Sequence, residues 1–185
     1  MSFSIELLPA RHGDAILVCW GESGDRHRML VDAGPATAYD GVGSRLAAEG
    51  TLDVLVLTHV DADHVEGMIL LVNDAAAGVG IGEVWFNARR HFGEGRLHGA
   101  HGEMLSALVV ERRIPWNLRF GGEAVCSDAG IRSVELPGGL QVTVLAPSAA
   151  SLKALENDWV KACRDAKVDG SVESGLAALR TRPRL

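Results

Sequence analysis

The feature that most constrains this chain is the spacing His-x-Asp-x-Asp-His over residues 59–64. Imidazole nitrogens and carboxylate oxygens are ligands that zinc, manganese and related divalent cations accept. The preceding run, residues 53–58, is short, β-branched and apolar, which predicts a buried strand. The following run, residues 65–72, predicts the start of a helix. The cluster is therefore expected at the carboxyl end of a strand, where open α/β sheets bind ligands.

The spacing of the four side chains predicts two cations. Residues two apart in an extended loop point the same way, so His59 and Asp61 can converge on one ion. Asp63 and His64 are adjacent in the sequence, so their side chains are expected to diverge. They are therefore expected to face a second ion. Two ions about 3.5–4 Å apart are the usual arrangement for metal-assisted hydrolysis. The alternative is a polar turn whose carboxylates cap the helix at Val65, although capping needs one carboxylate and no histidine.

The cluster resembles the metal motif of the metallo-β-lactamase-fold hydrolases. Asp61 stands where most of them carry a second histidine, as in the variant of ComEC-type competence proteins. Further segments are similar to landmarks of that family, and the resemblance covers residues 3–166. It implies an α+β fold, an αββα sandwich. The similar segments are Leu8–Ala15, Leu30–Gly34, Val84–Asn87, Pro115–Asn117 and Leu145–Ser148.

The resemblance also implies roles for single residues. Asp32 is expected beside the metal site, where it supports a ligand, and Asp14 is given a similar supporting role. For both, a plain turn aspartate is the alternative. Asp63 is the expected catalytic residue, because it can orient the attacking water or take its proton. His98 and His101 lie in an irregular polar loop, where they either supply a ligand, contact the substrate, or are solvated.

Compared with members of that family, the domain in this sequence is incomplete. Family members continue to a strand-end Gly-Asp and a His-His-Gly-Ser-like segment, and neither appears between Leu145 and Leu185. We therefore expect a fragment that holds the N-terminal portion of such a domain over residues 1–166, followed by an irregular tail over residues 167–185. An incomplete sandwich exposes apolar sheet edges, which predicts self-association.

The amino-acid composition limits the kinds of partner that the chain is expected to bind. The chain has 185 residues, 47% of them hydrophobic, and a net charge of −6, so it has one core and lacks a broad basic footprint for nucleic acid. No apolar run approaches the length that spans a membrane. Three widely spaced cysteines predict free, reduced thiols and a cytoplasmic location.

These observations favour a metal-dependent hydrolase with two divalent cations, Zn²⁺ or Mn²⁺. A carboxylate at residue 61 makes the site harder and less positive, which favours manganese. The helix that follows the cluster presents free N–H groups to an anion. Together with the resemblance, this points to a phosphodiester substrate, in DNA or a nucleotide. Two alternatives stay open: a non-catalytic remnant that binds metal or a partner, and a thioester or lactone hydrolase on the same metals.

Overall fold

One mixed five-stranded sheet organises the protein. The computed structural model describes residues 2–74, 78–91, 100–127, 132–154 and 168–182. The strands lie in the order in which they occur in the chain; β1, β2 and β3 pair antiparallel, whereas β3, β4 and β5 pair parallel. They are β1 Ser2–Leu7, β2 Ile16–Glu22, β3 Asp25–Val31, β4 Thr51–Val56 and β5 Gly80–Trp85.

Helices cover one face of this sheet. Because β4 and β5 are parallel, the chain must run back from the end of β4 to the end of the sheet where β5 begins. Helix α2 forms this connection. Buried residues of α1, α2 and α3 share one apolar cluster with residues of the sheet. The helices are α1 Tyr39–Ala47, α2 Ala62–Asn73, α3 Ala100–Glu111, α4 over residues 149–154 and α5 Val172–Arg180.

A hairpin covers part of the opposite face. It consists of β6 Arg132–Leu136 and β7 Leu140–Val144. Its Leu136 lies with Trp20 and Phe120 in a second apolar cluster. The arrangement of helices, sheet and hairpin in layers confirms the predicted α+β sandwich class.

The predicted irregular tail is wrong over residues 172–180, which form α5. Ser171 caps this helix, because its side chain accepts a hydrogen bond from the Ser174 N–H at 3.0 Å. Leu176 and Leu179, three residues apart, pack against the main apolar cluster. Gly175 is buried and allows α5 to lie close to α3. The boundary at residue 166 stays a prediction.

The segment between α3 and the hairpin contains little regular structure. In the described part of residues 114–136 there is β6 and one isolated parallel bridge from Trp116 to Val84. Residues 149–154 are helical, and residues 155–167 lie outside the described residues. None of the described helices combines the length and apolar character needed to cross a membrane.

The close contact at Gly175 predicts a stability effect. A Cβ atom there would lie 2.7 Å from the Ala107 Cβ and 2.8 Å from the Glu103 carbonyl oxygen. We expect Gly175→Ala to lower the free energy of unfolding by about 1–3 kcal/mol through overpacking. This is the opposite of the gain of about 1 kcal/mol that alanine brings to an open helix site. Denaturant unfolding followed by circular dichroism measures the change.

A matched control lies in the same helix. Ala177 is exposed, so Ala177→Leu should change the free energy of unfolding by no more than about 0.5 kcal/mol. If Gly175→Ala proved as stable as the wild type, α5 would not be packed against α3 as described.

Candidate metal centre

Helix α2 begins inside the motif. Its first residue is Ala62, three residues before the expected start at Val65, so Asp63 and His64 lie in the first turn. Asp61 is the N-cap residue, and its backbone carbonyl accepts the N–H groups of His64 and Val65, both at 3.0 Å. Its side chain makes no capping hydrogen bond. The capping interpretation is therefore wrong for Asp61, whose carboxylate is 73% exposed.

The four predicted ligands lie in two pairs. The distance from His59 Nε2 to Asp61 Oδ2 is 3.6 Å, and the distance from His64 Nε2 to Asp63 Oδ2 is also 3.6 Å. Two donor atoms that bind one tetrahedral ion at about 2.1 Å are separated by about 3.4 Å. Each pair thus has the spacing that one shared ion requires. The expected divergence of Asp63 and His64 is not observed, because the helical turn brings their donor atoms together.

Three residues also form a compact group of donors. Asp32, His59 and His64 each offer one atom, and these atoms lie within 4.8 Å of one another. Asp32 is 2% exposed and His64 is 8% exposed, whereas His59 is open to solvent. This group can hold a metal ion; ligation by Asp61 and Asp63 stays a prediction.

The Asp32 carboxylate fixes the orientation of His64. His64 Nδ1 and Asp32 Oδ2 are 2.9 Å apart, and both side chains are buried. Since an ionised carboxylate only accepts hydrogen bonds, His64 Nδ1 carries the proton and donates it. The lone pair is then on Nε2, the atom that faces Asp63. Asp32 thus contacts His64, and its predicted role of supporting a metal ligand stays a prediction.

Thr58 extends the same network to His59. Its backbone N–H donates to Asp32 Oδ1 at 2.8 Å, and its hydroxyl donates to Asp32 Oδ2 at 2.6 Å. The hydroxyl has one proton, so it accepts from His59 Nδ1, 2.9 Å away. His59 therefore also has its free lone pair on Nε2. Sequence analysis gave Thr58 no role; a hydroxyl residue directly before the first histidine was the available signal.

The backbone around Asp32 is held in an uncommon conformation. Asp32 has φ of 55° and Gly34 has φ of 72°, both in the left-handed region. Two hydrogen bonds join this loop to α2, from the Ala33 N–H to the His64 carbonyl at 3.2 Å and from the Gly67 N–H to the Gly34 carbonyl at 2.8 Å. A side chain at Gly67 would overlap the Ala33 carbonyl. Glycine at residue 67 is thus required for the contact that positions Asp32.

The turn that contains Asp14 packs on the motif through its backbone. A side chain at Gly13 would overlap the Asp63 carbonyl oxygen, and the Asp14 carbonyl accepts the Gly34 N–H at 2.8 Å. The Asp14 side chain itself is exposed. The backbone of this turn contacts the motif, and the predicted supporting role of Asp14 stays a prediction.

Of the two loop histidines, only His101 is among the described residues. His98 lies outside the described residues. His101 is the second residue of α3, and its Nε2 lies 2.7 Å from Arg182 Nη1 and 3.7 Å from Glu66 Oε1. Burial and the Arg182 guanidinium lower the pKa of His101. The structure does not place His101 in the group formed by Asp32, His59 and His64, and its part in ligation or substrate contact stays a prediction.

His91 makes contacts that stabilise the loop after β5. Its Nδ1 accepts the Ala88 N–H at 3.0 Å, and its ring meets the Trp116 ring edge-on at 5.1 Å. Burial, with a smaller effect of the Arg90 charge, lowers the pKa of His91 from 6.5 to about 4. A neutral, hydrogen-bonded histidine in contact with a tryptophan supports the loop after β5.

We expect Asp32→Asn to weaken metal binding. Asparagine tolerates a positive φ, so the loop can keep its backbone, but the neutral amide no longer holds the proton on His64 Nδ1 as the carboxylate does. The affinity for Zn²⁺ or Mn²⁺ should fall about 10- to 100-fold in a calorimetric titration. Asp40→Asn, which removes one charge from an exposed residue of α1, is the control and should bind as the wild type does. Equal affinity in a folded Asp32→Asn variant would contradict the role of the network.

The low pKa of His91 predicts a pH dependence of stability. Between about pH 4 and pH 6.5 the unfolded chain binds a proton at residue 91 that the folded chain does not bind. The free energy of unfolding should therefore rise with pH across this window. His91→Asn keeps an acceptor for the Ala88 N–H and removes the titration, so denaturant unfolding should show a smaller slope against pH. An unchanged slope would mean that His91 is protonated in the folded state.

Comparison with known proteins agrees with this geometry. A sequence model of the Metallo-beta-lactamase superfamily matches residues 8–142, which include the whole donor group. Members of this superfamily are mostly hydrolases and usually bind divalent metals. No curated protein and no solved structure matches the chain. Since the match covers more than half of its residues, the chain belongs to the metallo-beta-lactamase superfamily.

Proposed function

We propose that the protein is a metal-dependent hydrolase of phosphodiesters, in DNA or a nucleotide. His59 and Asp61 hold one divalent cation, and Asp63 and His64 hold a second, with zinc or manganese as the metal. The observation that carries the proposal is the paired spacing of these donors, each pair 3.6 Å apart. The hydrogen bonds of Asp32 and Thr58 leave both Nε2 atoms free to bind.

The proposed hydrolysis needs both a bound cation and side chains of the protein. If these residues bind a divalent cation, the ion would supply a water molecule that loses its proton close to neutral pH. The Asp63 carboxylate is 35% exposed, so it reaches solvent and can orient that water or accept its proton. The His64 ring is hydrogen-bonded to Asp32, and its side chain is only 10% exposed, so the ring is held in one orientation.

Three features support a phosphodiester over an acyl substrate. The first turn of α2 lies in the motif and is not capped by the Asp61 side chain, so its N–H groups and positive dipole end favour an anion. A carboxylate at residue 61 is a harder donor than imidazole and favours manganese, a common partner of phosphate oxygens. The resemblance to ComEC-type proteins points to nucleic acid in the same way.

A cytoplasmic location is part of the proposal. Cys19 and Cys126 are free thiols, and Cys19 is buried. Unpaired cysteines are typical of proteins kept in a reducing compartment.

A metal-binding experiment comes first. We expect calorimetric titration with Zn²⁺ and Mn²⁺ to show binding by the wild type, and loss of binding by a His59→Ala/His64→Ala double variant that circular dichroism shows to be folded. Asp40→Asn again serves as the control for a change of charge far from the motif. A folded wild type that binds neither metal would overturn the proposal.

Substrate assays then decide the reaction. With the better metal, the wild type should hydrolyse bis(p-nitrophenyl) phosphate, and Asp63→Asn should lower kcat by about 10²–10⁴-fold. A thioester and a lactone are assayed under the same conditions. Turnover of those acyl substrates alone would identify an acyl hydrolase, and metal binding without any turnover would identify a non-catalytic metal-binding protein; either result contradicts the phosphodiesterase proposal.

A further inference from the structure

A cavity beside α3 is lined by both charged and apolar side chains. Its volume is about 310 Å³, within the range of about 300–1,000 Å³ that is usual for small-ligand pockets. Residues 88–90 after β5, Trp116, helix α3 and the start of α5 surround it. Its described lining residues include none of residues 58–64 and do not include Asp32. The cavity is therefore a site separate from the candidate metal centre.

Arg90 provides a positive charge at one wall of the cavity. Its guanidinium carbon lies 4.9 Å from the centre of the Trp116 ring, within cation–π distance. The Trp116 ring is itself fixed, because it stacks on Phe86 with ring centres 4.5 Å apart and its Nε1 donates to the Phe86 carbonyl at 2.9 Å. A cation–π contact needs no hydrogen-bond acceptor, and among the described residues none accepts a hydrogen bond from the Arg90 side chain. The N–H groups of this guanidinium can therefore donate to a bound anion.

The charged residues that line the cavity favour a ligand with one negative charge. Arg89 lines the same cavity as Arg90, and Glu103 of α3 is the acidic residue among the described lining residues. Two guanidinium groups and one carboxylate give this lining a net charge of +1. Arginine binds a carboxylate through two parallel hydrogen bonds. A carboxylate carries a single charge and matches the lining, whereas a phosphate monoester carries nearly two.

The α3 side of the cavity offers hydrogen-bond acceptors. Glu103 is 5% exposed, and an ionised carboxylate accepts several hydrogen bonds. The Ser106 hydroxyl donates its proton to the Gly102 carbonyl at 2.7 Å, so it can only accept a hydrogen bond from a ligand. Ala107 and Val110 of the same helix also line the cavity and are apolar. This wall suits an apolar ligand body that carries a hydroxyl or amino group.

We propose that this cavity binds a small organic carboxylate that also carries a hydroxyl or amino group. The ligand carboxylate binds the Arg90 guanidinium, with Arg89 as a second positive charge, and the hydroxyl or amino group donates to an acceptor on α3. The apolar body of the ligand lies against Ala107 and Val110. Such a ligand contacts the loop after β5, helix α3 and the start of α5 together, so its binding stabilises the folded chain. The site does not depend on the proposed hydrolysis.

Calorimetric titration with 4-hydroxybenzoate tests the site. We expect saturable binding by the full wild-type chain, equal with and without EDTA, because no metal ion takes part. Arg90 is exposed, so Arg90→Gln should fold, and it should raise the dissociation constant about tenfold or more by removing charged hydrogen-bond donors. Arg26→Gln removes an equal charge from an exposed residue of β3 outside the cavity and is the matched control. A wild type that does not bind, binding that EDTA abolishes, or equal binding by Arg90→Gln would overturn the proposal.

Related probes test the chemistry of the ligand. 4-Hydroxybenzyl alcohol lacks the carboxylate and should bind at least about tenfold more weakly than 4-hydroxybenzoate. Benzoate lacks the hydroxyl group and should bind about threefold to tenfold more weakly, because it loses the hydrogen bond to α3. Saturating 4-hydroxybenzoate should raise the midpoint of thermal unfolding of the wild type more than that of Arg90→Gln. Equal affinity for the three probes, or tighter binding of phenyl phosphate than of benzoate, would contradict the proposed class of ligand.

Discussion

The buried carboxylate of Asp32 is the interaction on which the site depends. It lies at the end of β3, bonds to Thr58 at the end of β4, and bonds to His64 in the first turn of α2. Removing a charged group from water is costly unless hydrogen bonds replace the lost hydration. Three donors converge on the two oxygens and supply that replacement. The same three bonds tie two strand ends and one helix start into a single unit, which suits a site that must hold its ligands in a fixed geometry.

The two donor pairs differ in their freedom. His64 is nearly buried and is hydrogen-bonded to a buried partner, whereas His59 and Asp61 are 46% and 73% exposed. Asp61 is the residue directly before α2, and its side chain makes no capping hydrogen bond. An ion bound by Asp63 and His64 would have ligands with little freedom to move. An ion held by His59 and Asp61 would meet side chains that adjust, so the two positions are expected to differ in affinity and in their tolerance of metal size.

The spacing of the motif and the apolar strand before it were sufficient to predict that the motif lies between a strand and a helix, where β4 and α2 are found. Both depend on local rules, the period of a strand and the chemistry of the donor atoms. The positive φ of Asp32 and the close approach at Gly67 were not predictable, because each depends on how a loop and a helix from distant parts of the sequence meet. Helix α5 was not predicted, and Gly175 at its centre is an unfavourable residue for the interior of a helix. Ser171, with Leu176 and Leu179 at helical spacing, was the signal that should have been weighed against it.

The position of α5 has a consequence for the order of assembly. Strands β1 to β3 pair with their sequence neighbours, so they can form as soon as they leave the ribosome. Helix α5 follows the other described helices and strands in the chain and packs on α3 through the close contact at Gly175. Until α5 has been synthesised, the surface of α3 that it contacts is therefore uncovered in the nascent chain. That interval is when chaperones or proteases have access to this surface, and it ends with the docking of one nine-residue helix.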